Sequence, residues 1–383
     1  GTHNTLMGYY AGQSLTTAGG SEYIGSQAGY NTTTGAYNTV IGNEALYQNV
    51  VGSYNVAIGH KAGQYATGSN NTYIGFYSGQ GASNSAPFSS AQQNTAVGMY
   101  TMQLVTTGGN NTALGYGAIN KNSTGTNIVA IGKSAGYYAT GSYNTFIGAE
   151  AGKGGTTSAP YSSGTSNVAM GYQALKGFTT GGSNTAVGFY SGKSITTATS
   201  NTLMGIFSGD ALTTGGENTA IGHSALSAED TGTRNVAVGN QAFIKLNYDG
   251  TGYNTGLGYG VGYHNVLGVS NTYLGGQAGL NATGSYNTFV GHLAGYGGNT
   301  SAPYSSGTKN VALGYQALTA FTTGVNNVAV GTNAGDLLST GANNILIGLD
   351  VAGDYTTGDN SVAIGRQALN LEQTGHSTVA IGY

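Results

Sequence analysis

Aliphatic residues return along this chain at a near-fixed distance, each followed by glycine. A pentapeptide of the form Asn-Thr/Val-Ala-aliphatic-Gly occurs 22 times, its closing glycines running from Gly8 and Gly25 to Gly365 and Gly382. Most intervals between closing glycines repeat the 17-residue step from Gly8 to Gly25. The exceptions are three 16-residue steps, three 23-residue steps and one 19-residue step, so no stretch leaves the register. The residue before the glycine is Ile, Val, Leu or Met in all 22 units, as in Ile41, Val97, Leu114 and Met170. Two residues earlier stands Thr or a β-branched aliphatic residue, Glu22 being the exception. Positions i and i+2 share one face of a strand, and branched side chains suit the pleat. The pattern predicts a short strand whose flanking positions form the buried face. Between them stands Ala in 12 units and Tyr, Phe or Leu in others, such as Tyr23, Tyr73, Phe146, Leu203, Tyr273 and Phe289. Because that column is almost never charged, it is predicted to face partner chains.

The other columns punctuate the repeat. Four residues before the glycine lies Asn in 18 of 22 units, a candidate amide ladder that would satisfy neighbouring backbone groups. Three residues after the glycine the side chain is small, usually Ala, and the next is Gly or a large aliphatic residue. A polar stretch, commonly Thr-Thr-Gly as at Thr179-Thr180-Gly181, leads back to the next Asn. Apolar residues do not recur at helical spacing, and so much glycine would cost a helix about 1 kcal/mol apiece. The reading is all-β: a single continuous parallel β-roll or β-solenoid over residues 1–383, of about 22 coils with a 17-residue period. Each coil is predicted to hold two short strands and two corners. At a strand spacing of about 4.8 Å the coils would make a rod of roughly 105 Å. So thin a core predicts self-association along the axis.

Composition narrows the classes. Only 10 Lys and Arg and 13 Asp and Glu occur in 383 residues, with net charge −3, 70 Gly, three Pro and no Cys. The scattered basic residues make no nucleic-acid footprint, and no apolar run approaches the roughly 18 residues of a membrane span. The absence of Cys excludes a disulfide scaffold and a thiolate metal site.

The most informative irregularity is the 23-residue interval. Its three occurrences carry SAPFSS (85–90), SAPYSS (158–163) and SAPYSS (301–306), which hold every proline of the chain. The loop inserts span about 80–93, 153–166 and 296–309, in coils 5, 9 and 17 of a four-coil higher-order unit. Segments 142–181 and 285–324 are close copies, the mark of a duplication. Equivalent columns stack, so the inserts are expected at one corner, about 19 Å and 38 Å apart along the axis. Pro87, Phe88, Pro160, Tyr161, Pro303 and Tyr304 are the candidate surface-contact residues. The three rings are expected either to fold back onto the mid-strand aromatics or to stand out.

Motifs with catalytic associations dissolve into the repeat. Gly132-Lys133-Ser134-Ala135-Gly136 matches a nucleophile elbow only because the repeat supplies both glycines. Gly192-Lys193-Ser194 ends like a phosphate loop but lacks its first glycine, Val187 standing there. Six dispersed His residues show no ligand spacing. Asp350, Asp354 and Asp359, with Asp336, make a candidate calcium cluster without the repeated Asp register of calcium-binding rolls. No catalytic residue and no obligatory cofactor is expected. Of the 29 Tyr, several follow the glycine (Tyr9, Tyr77, Tyr116, Tyr172, Tyr259 and Tyr315), where they would stack on sugars or pack on neighbouring coils or a partner chain.

Strings such as NVAIGHKAG (55–63), NTALGYGAI (111–119), NVAMGYQAL (167–175) and SVAIGRQAL (361–369) resemble the repeats of trimeric autotransporter adhesin heads. They are more similar to the "NTALGYQAL…TTG" arrays of phage tail fibres and related bacterial proteins, since adhesin heads have shorter coils. The resemblance covers essentially the whole chain. It implies a left-handed parallel β-roll assembled as a parallel homotrimer. It also implies an extracellular role, on a virion tail fibre or a cell surface, as a non-enzymatic shaft or head that attaches to host or cell-surface glycan. A second reading is a purely structural filament of rolls stacked end to end. A third is an ice-binding solenoid, which would need Thr rows more regular than these.

Overall fold

The computed structural model describes residues 1–81 and 88–383. Among them are 22 strands of three residues each, one per repeat, and no helix. They fall into two compact units, Gly1–Ala198 and Thr199–Tyr383. The first holds the strands from Thr5–Met7 to Thr185–Val187, the second those from Thr202–Met204 to Val379–Ile381. Within each unit every strand pairs in parallel with the next. Thr39, Val40 and Ile41 lie beside Val56, Ala57 and Ile58 in the first unit; Val311, Ala312 and Leu313 lie beside Val328, Ala329 and Val330 in the second. Backbone bonds run in both directions: Thr39 N donates to Asn55 O on the following coil and Gly42 N to Ile24 O on the preceding one, each at 2.8 Å. Each unit is therefore a parallel β-solenoid with the predicted repeat, one coil running from Asn38 to Asn55 in the first unit and from Asn310 to Asn327 in the second.

Two expectations are corrected. Among the described residues each coil contains one strand, not two. The rest of the coil turns through left-handed residues such as Tyr37 (φ 57°), Glu44 (φ 53°) and Leu46 (φ 46°), which extended β geometry cannot include. These turns still stack, as where Leu46 N donates to Ala62 O at 2.9 Å. The inward face is also the opposite one. Mid-strand residues such as Tyr23, Val40, Ala57, Phe146, Ala220 and Phe289 are fully buried within their own coils, whereas Ile41, Leu114, Met170, Met204 and Leu313 beside the glycine are exposed. The mid-strand column thus faces no partner chain. The period of two was right and its phase was reversed. The asparagine sets the phase: its amide must point inward to reach coil carbonyls, and the residue two further on shares that face.

The asparagine ladder is as expected. Asn55 N donates to Asn38 Oδ1 at 2.9 Å while its own Nδ2 donates to Gly68 O at 3.0 Å. In the second unit Asn327 repeats the arrangement, with Asn310 Oδ1 at 3.0 Å and Gly341 O at 2.8 Å. Buried amides survive here because they are paired. At Ile128 the column is interrupted: its N–H still uses Asn111 Oδ1 at 2.9 Å, but it returns no amide.

Core volume is conserved within the coil. All five mid-strand aromatics oppose a glycine six residues later: Tyr23 with Gly29, Tyr73 with Gly79, Phe146 with Gly152, Tyr273 with Gly279 and Phe289 with Gly295. A Cβ on those glycines would lie between 2.1 and 2.7 Å from the nearest ring atom. Where the mid-strand residue is Ala, that position can carry the bulk, as in Ala96 with Met102, Ala113 with Ile119 and Ala312 with Leu318, all fully buried. This exchange explains the "Gly or large aliphatic" column of the sequence and keeps packing near native density.

One buried carboxylate departs from the pattern. Seven residues after the closing glycine, Asn49, Asn122 and Asn265 accept the N–H of Gly52, Gly125 and Gly268 at 2.8, 2.8 and 2.7 Å. Glu229 occupies the same column, fully buried, and accepts from Gly232 N at 2.7 Å. Burial pushes its carboxyl above the ordinary 4.5, although the N–H groups of Gly232 and Tyr248 favour the ionised form. A raised native pKa means that the fold holds the proton to higher pH than the unfolded chain does. Its stabilisation is therefore complete below about 4.5 and is lost as pH rises through the raised value. Glu229→Asn is expected to remove that slope. Thermal unfolding of both proteins from pH 4 to 8 checks it, parallel curves being the contrary result.

Candidate functional site

The candidate surface is built from the inserts and the exposed aromatic columns. In the first unit the second insert leaves the coil at Gly154 (φ 92°) and rejoins at Ser162, which bridges to Ala139 of the coil before. In the second unit Gly297 (φ 94°), Ser305 and Ala282 repeat that geometry. The serine hydroxyl closes each loop, accepting Thr156 N at 3.3 Å and Asn299 N at 3.2 Å. The first insert has the same exit, Gly81 (φ 92°), and the same bridge, Ser89 to Ala66. Each insert thus departs and returns at equivalent positions of its coil, as its column in the repeat predicted.

Pro160 and Pro303 are exposed at the loop tips, following cis peptide bonds; Pro87 lies outside the described residues. The ring after each proline is half-buried, and none reaches the mid-strand aromatics. Tyr161 stacks on Tyr138 with centroids 5.9 Å apart, and Phe88 on Tyr65 at 6.4 Å. Tyr304 lies on His264 at 4.0 Å. Burial and the neighbouring Lys245 ammonium, 3.2 Å from Nδ1, hold that imidazole below its usual pKa. The rings therefore sit on the outer surface of an earlier coil, because the core is already filled.

The tyrosines after the closing glycine pack on neighbouring coils and also remain open to solvent. Tyr116, Tyr172, Tyr259 and Tyr315 are exposed, and the rings also pair across coils, as Tyr172 does with Phe189 at 5.4 Å. A second aromatic column was missed. Tyr37, Tyr54, Tyr143, Tyr253 and Tyr286 stand immediately before the ladder position, all exposed and all with φ between 51° and 63°. Tyr37 and Tyr54 are 59% and 60% exposed and stack at 5.1 Å with planes 12° apart. The signal was available: a large ring recurs five residues before the closing glycine, where other coils carry Asn or Ser that tolerate the left-handed turn.

The remaining candidates are dispersed. Asp350 Oδ1 accepts from Asn333 Nδ2 at 2.9 Å, and Asp359 Oδ1 from Ala342 N at 2.6 Å. Among the described residues no three acidic, His or Cys side chains gather as metal ligands. Ser134 takes the left-handed position (φ 56°) that Gln27 and Glu44 take in their coils, its N–H bound to Tyr116 O at 2.8 Å. No helix is long and apolar enough to cross a membrane among the described residues. No protein-family model and no curated protein matches this chain.

Proposed function

We propose that this chain is a non-enzymatic attachment element of an extracellular fibre, of the phage tail-fibre or surface-adhesin type, which holds aromatic rings against surface glycan. The observation that carries this reading is the Tyr37–Tyr54 pair, two large rings stacked in register and open to solvent on a hydrogen-bonded scaffold. Flat amphipathic rings at a fixed spacing suit the apolar faces of sugars and cost little ordering entropy. The exposed aliphatic and Thr/Val columns of the strand supply the self-association surface, as a parallel homotrimer.

A glycan array of bacterial surface polysaccharides tests the attachment. Paired Tyr37→Asn and Tyr54→Asn changes copy residues that this column already carries at Asn70 and Asn110, so folding is retained. Binding to at least one glycan, weakened about tenfold by the pair, is expected, the equivalent of about 1.4 kcal/mol. Binding indifferent to both rings would overturn the reading. The second reading is a self-assembling filament of rolls stacked end to end. Light scattering separates them: a mass of three chains fits the trimer, and mass that grows with concentration fits the filament.

A further inference from the structure

We propose that Lys153, Lys176 and Lys193 form an anion-binding column for the carboxylates of an acidic surface saccharide; this rests on the attachment reading and names a ligand class for it. The three lysines stand five residues after the closing glycines of consecutive coils in the first unit. In several earlier coils of that unit the residues of this column pair with one another. Tyr30 and Tyr47 stack at 5.0 Å. Gln80 Nε2 donates to Gln64 Oε1 at 2.9 Å, Gln103 to Gln80 at 3.0 Å and Asn120 to Gln103 at 3.2 Å. Three ammonium groups at one-coil spacing cannot satisfy one another; they repel.

The fold does not demand this charge. In the duplicated stretch of the second unit the equivalent residues are Tyr296, Thr319 and Asp336, and Glu150 is replaced by Leu293. One carboxylate serves two of the lysines: Glu150 Oε1 meets Lys153 Nζ at 3.2 Å and Oε2 meets Lys176 Nζ at 3.0 Å. The Lys176 ammonium first, and Lys153 with it, hold the Glu150 carboxyl below its usual range, so it stays ionised beside them. Lys193 Nζ lies 4.3 Å from the centroid of the Tyr190 ring. Each ammonium has three donors, and Lys153 and Lys176 remain 28% and 34% exposed.

The surroundings select a saccharide over a lone ion. The lysines line an open cavity of about 370 Å³ together with Tyr138 and the backbone of Gly154 and Gly155. Tyr138 stacks on Tyr161 of the insert, and Tyr161 lines a second cavity of about 580 Å³ together with Ser123, Thr140, Thr156 and Thr179. Cationic donors, a ring pair and a band of Ser and Thr residues match, in turn, the carboxylate, apolar face and hydroxyls of a uronic-acid chain. Both volumes suit small ligands.

The test is titration calorimetry of the full chain with a galacturonate tetrasaccharide, its methyl-esterified form and inorganic sulfate. The variant carries Lys153→Gln, Lys176→Gln and Lys193→Gln, which copies the Gln64, Gln80 and Gln103 ladder of earlier coils and so keeps the fold, checked by circular dichroism. The charged tetrasaccharide is expected to bind the native chain and to bind the variant at least tenfold more weakly. Its affinity is expected to fall with added salt, and the ester is expected to bind the native chain no better than the variant binds the charged form. Equal binding by native and variant chains overturns the inference. So does sulfate competing as well as the tetrasaccharide, which would mark a simple ion site. Loss of this site alone, with array binding through Tyr37 and Tyr54 intact, removes the inference and leaves attachment standing. Loss of array binding with the lysine-dependent site intact removes attachment by the Tyr37–Tyr54 pair instead.

Discussion

Replacing Phe289 with alanine is expected to destabilise the second unit by about 3–5 kcal/mol, and adding Gly295→Leu is expected to return most of it. Phe289 is fully buried, stacked on Tyr273 at 5.1 Å and tilted against Phe321 at 5.4 Å, so its removal leaves a ring-sized void. A leucine at position 295 would fill that void from the opposite wall, reproducing the adjacent coil, where Ala312 faces Leu318. Leu318 has φ 51° and Gly295 φ 55°, so the backbone there already accepts leucine. Gly295→Leu in the native background should instead clash, because its Cβ would lie 2.3 Å from Phe289 Cδ2. Such overpacking costs about 1–3 kcal/mol or more. The double-mutant cycle, read by chemical denaturation, should show a coupling of several kcal/mol in favour of the pair. Simple additivity would mean that the two positions do not share one volume.

The second large effect belongs to the closing glycines. Gly314 has φ 141°, and a Cβ there would sit 2.4 Å from the carbonyl oxygen of Gly331 on the next coil. No rotamer relieves a clash between two backbones, and the conformation is one that L-residues rarely adopt. Gly314→Ala is expected to cost on the order of 4 kcal/mol, at the diagnostic end of single-residue effects. Gly276→Ala is the control. It lies outside the left-handed region, and its Cβ would meet only the exposed His292 ring, at 3.1 Å. A change below about 1 kcal/mol is expected there. Because a solenoid is held by nearest-neighbour contacts, hydrogen exchange should report the Gly314 defect as local opening of the coils around it. Equal effects at the two glycines would contradict this account.

The period, the short strands, their parallel stacking and the asparagine ladder were legible in the residues alone. Each follows from an obligation repeated in every coil: a buried amide must be paired, and a backbone that touches its neighbour admits no side chain. The inserts were located the same way, since a loop added in register must leave and return at equivalent places. Which face of the strand lies inside was not legible. Thr-Ala-Ile alternates equally well in either phase, and the hydrophobic column beside the glycine read as core although Ile41 and Leu114 are exposed. Only the closed coil shows that Asn38 and Val40 must point together into so narrow an interior, where Ala or a ring opposite glycine fits. The turn before the ladder was signalled by its Asn and Ser residues, but that a tyrosine could stand there was not: Tyr37 holds φ 57° with its N–H on Gly19 O of the preceding coil at 3.0 Å. Coil-on-coil packing also brought Lys153, Lys176 and Lys193 into one column. They are well separated along the chain, and they become neighbours only because the insert between the first two leaves the register of the coils intact.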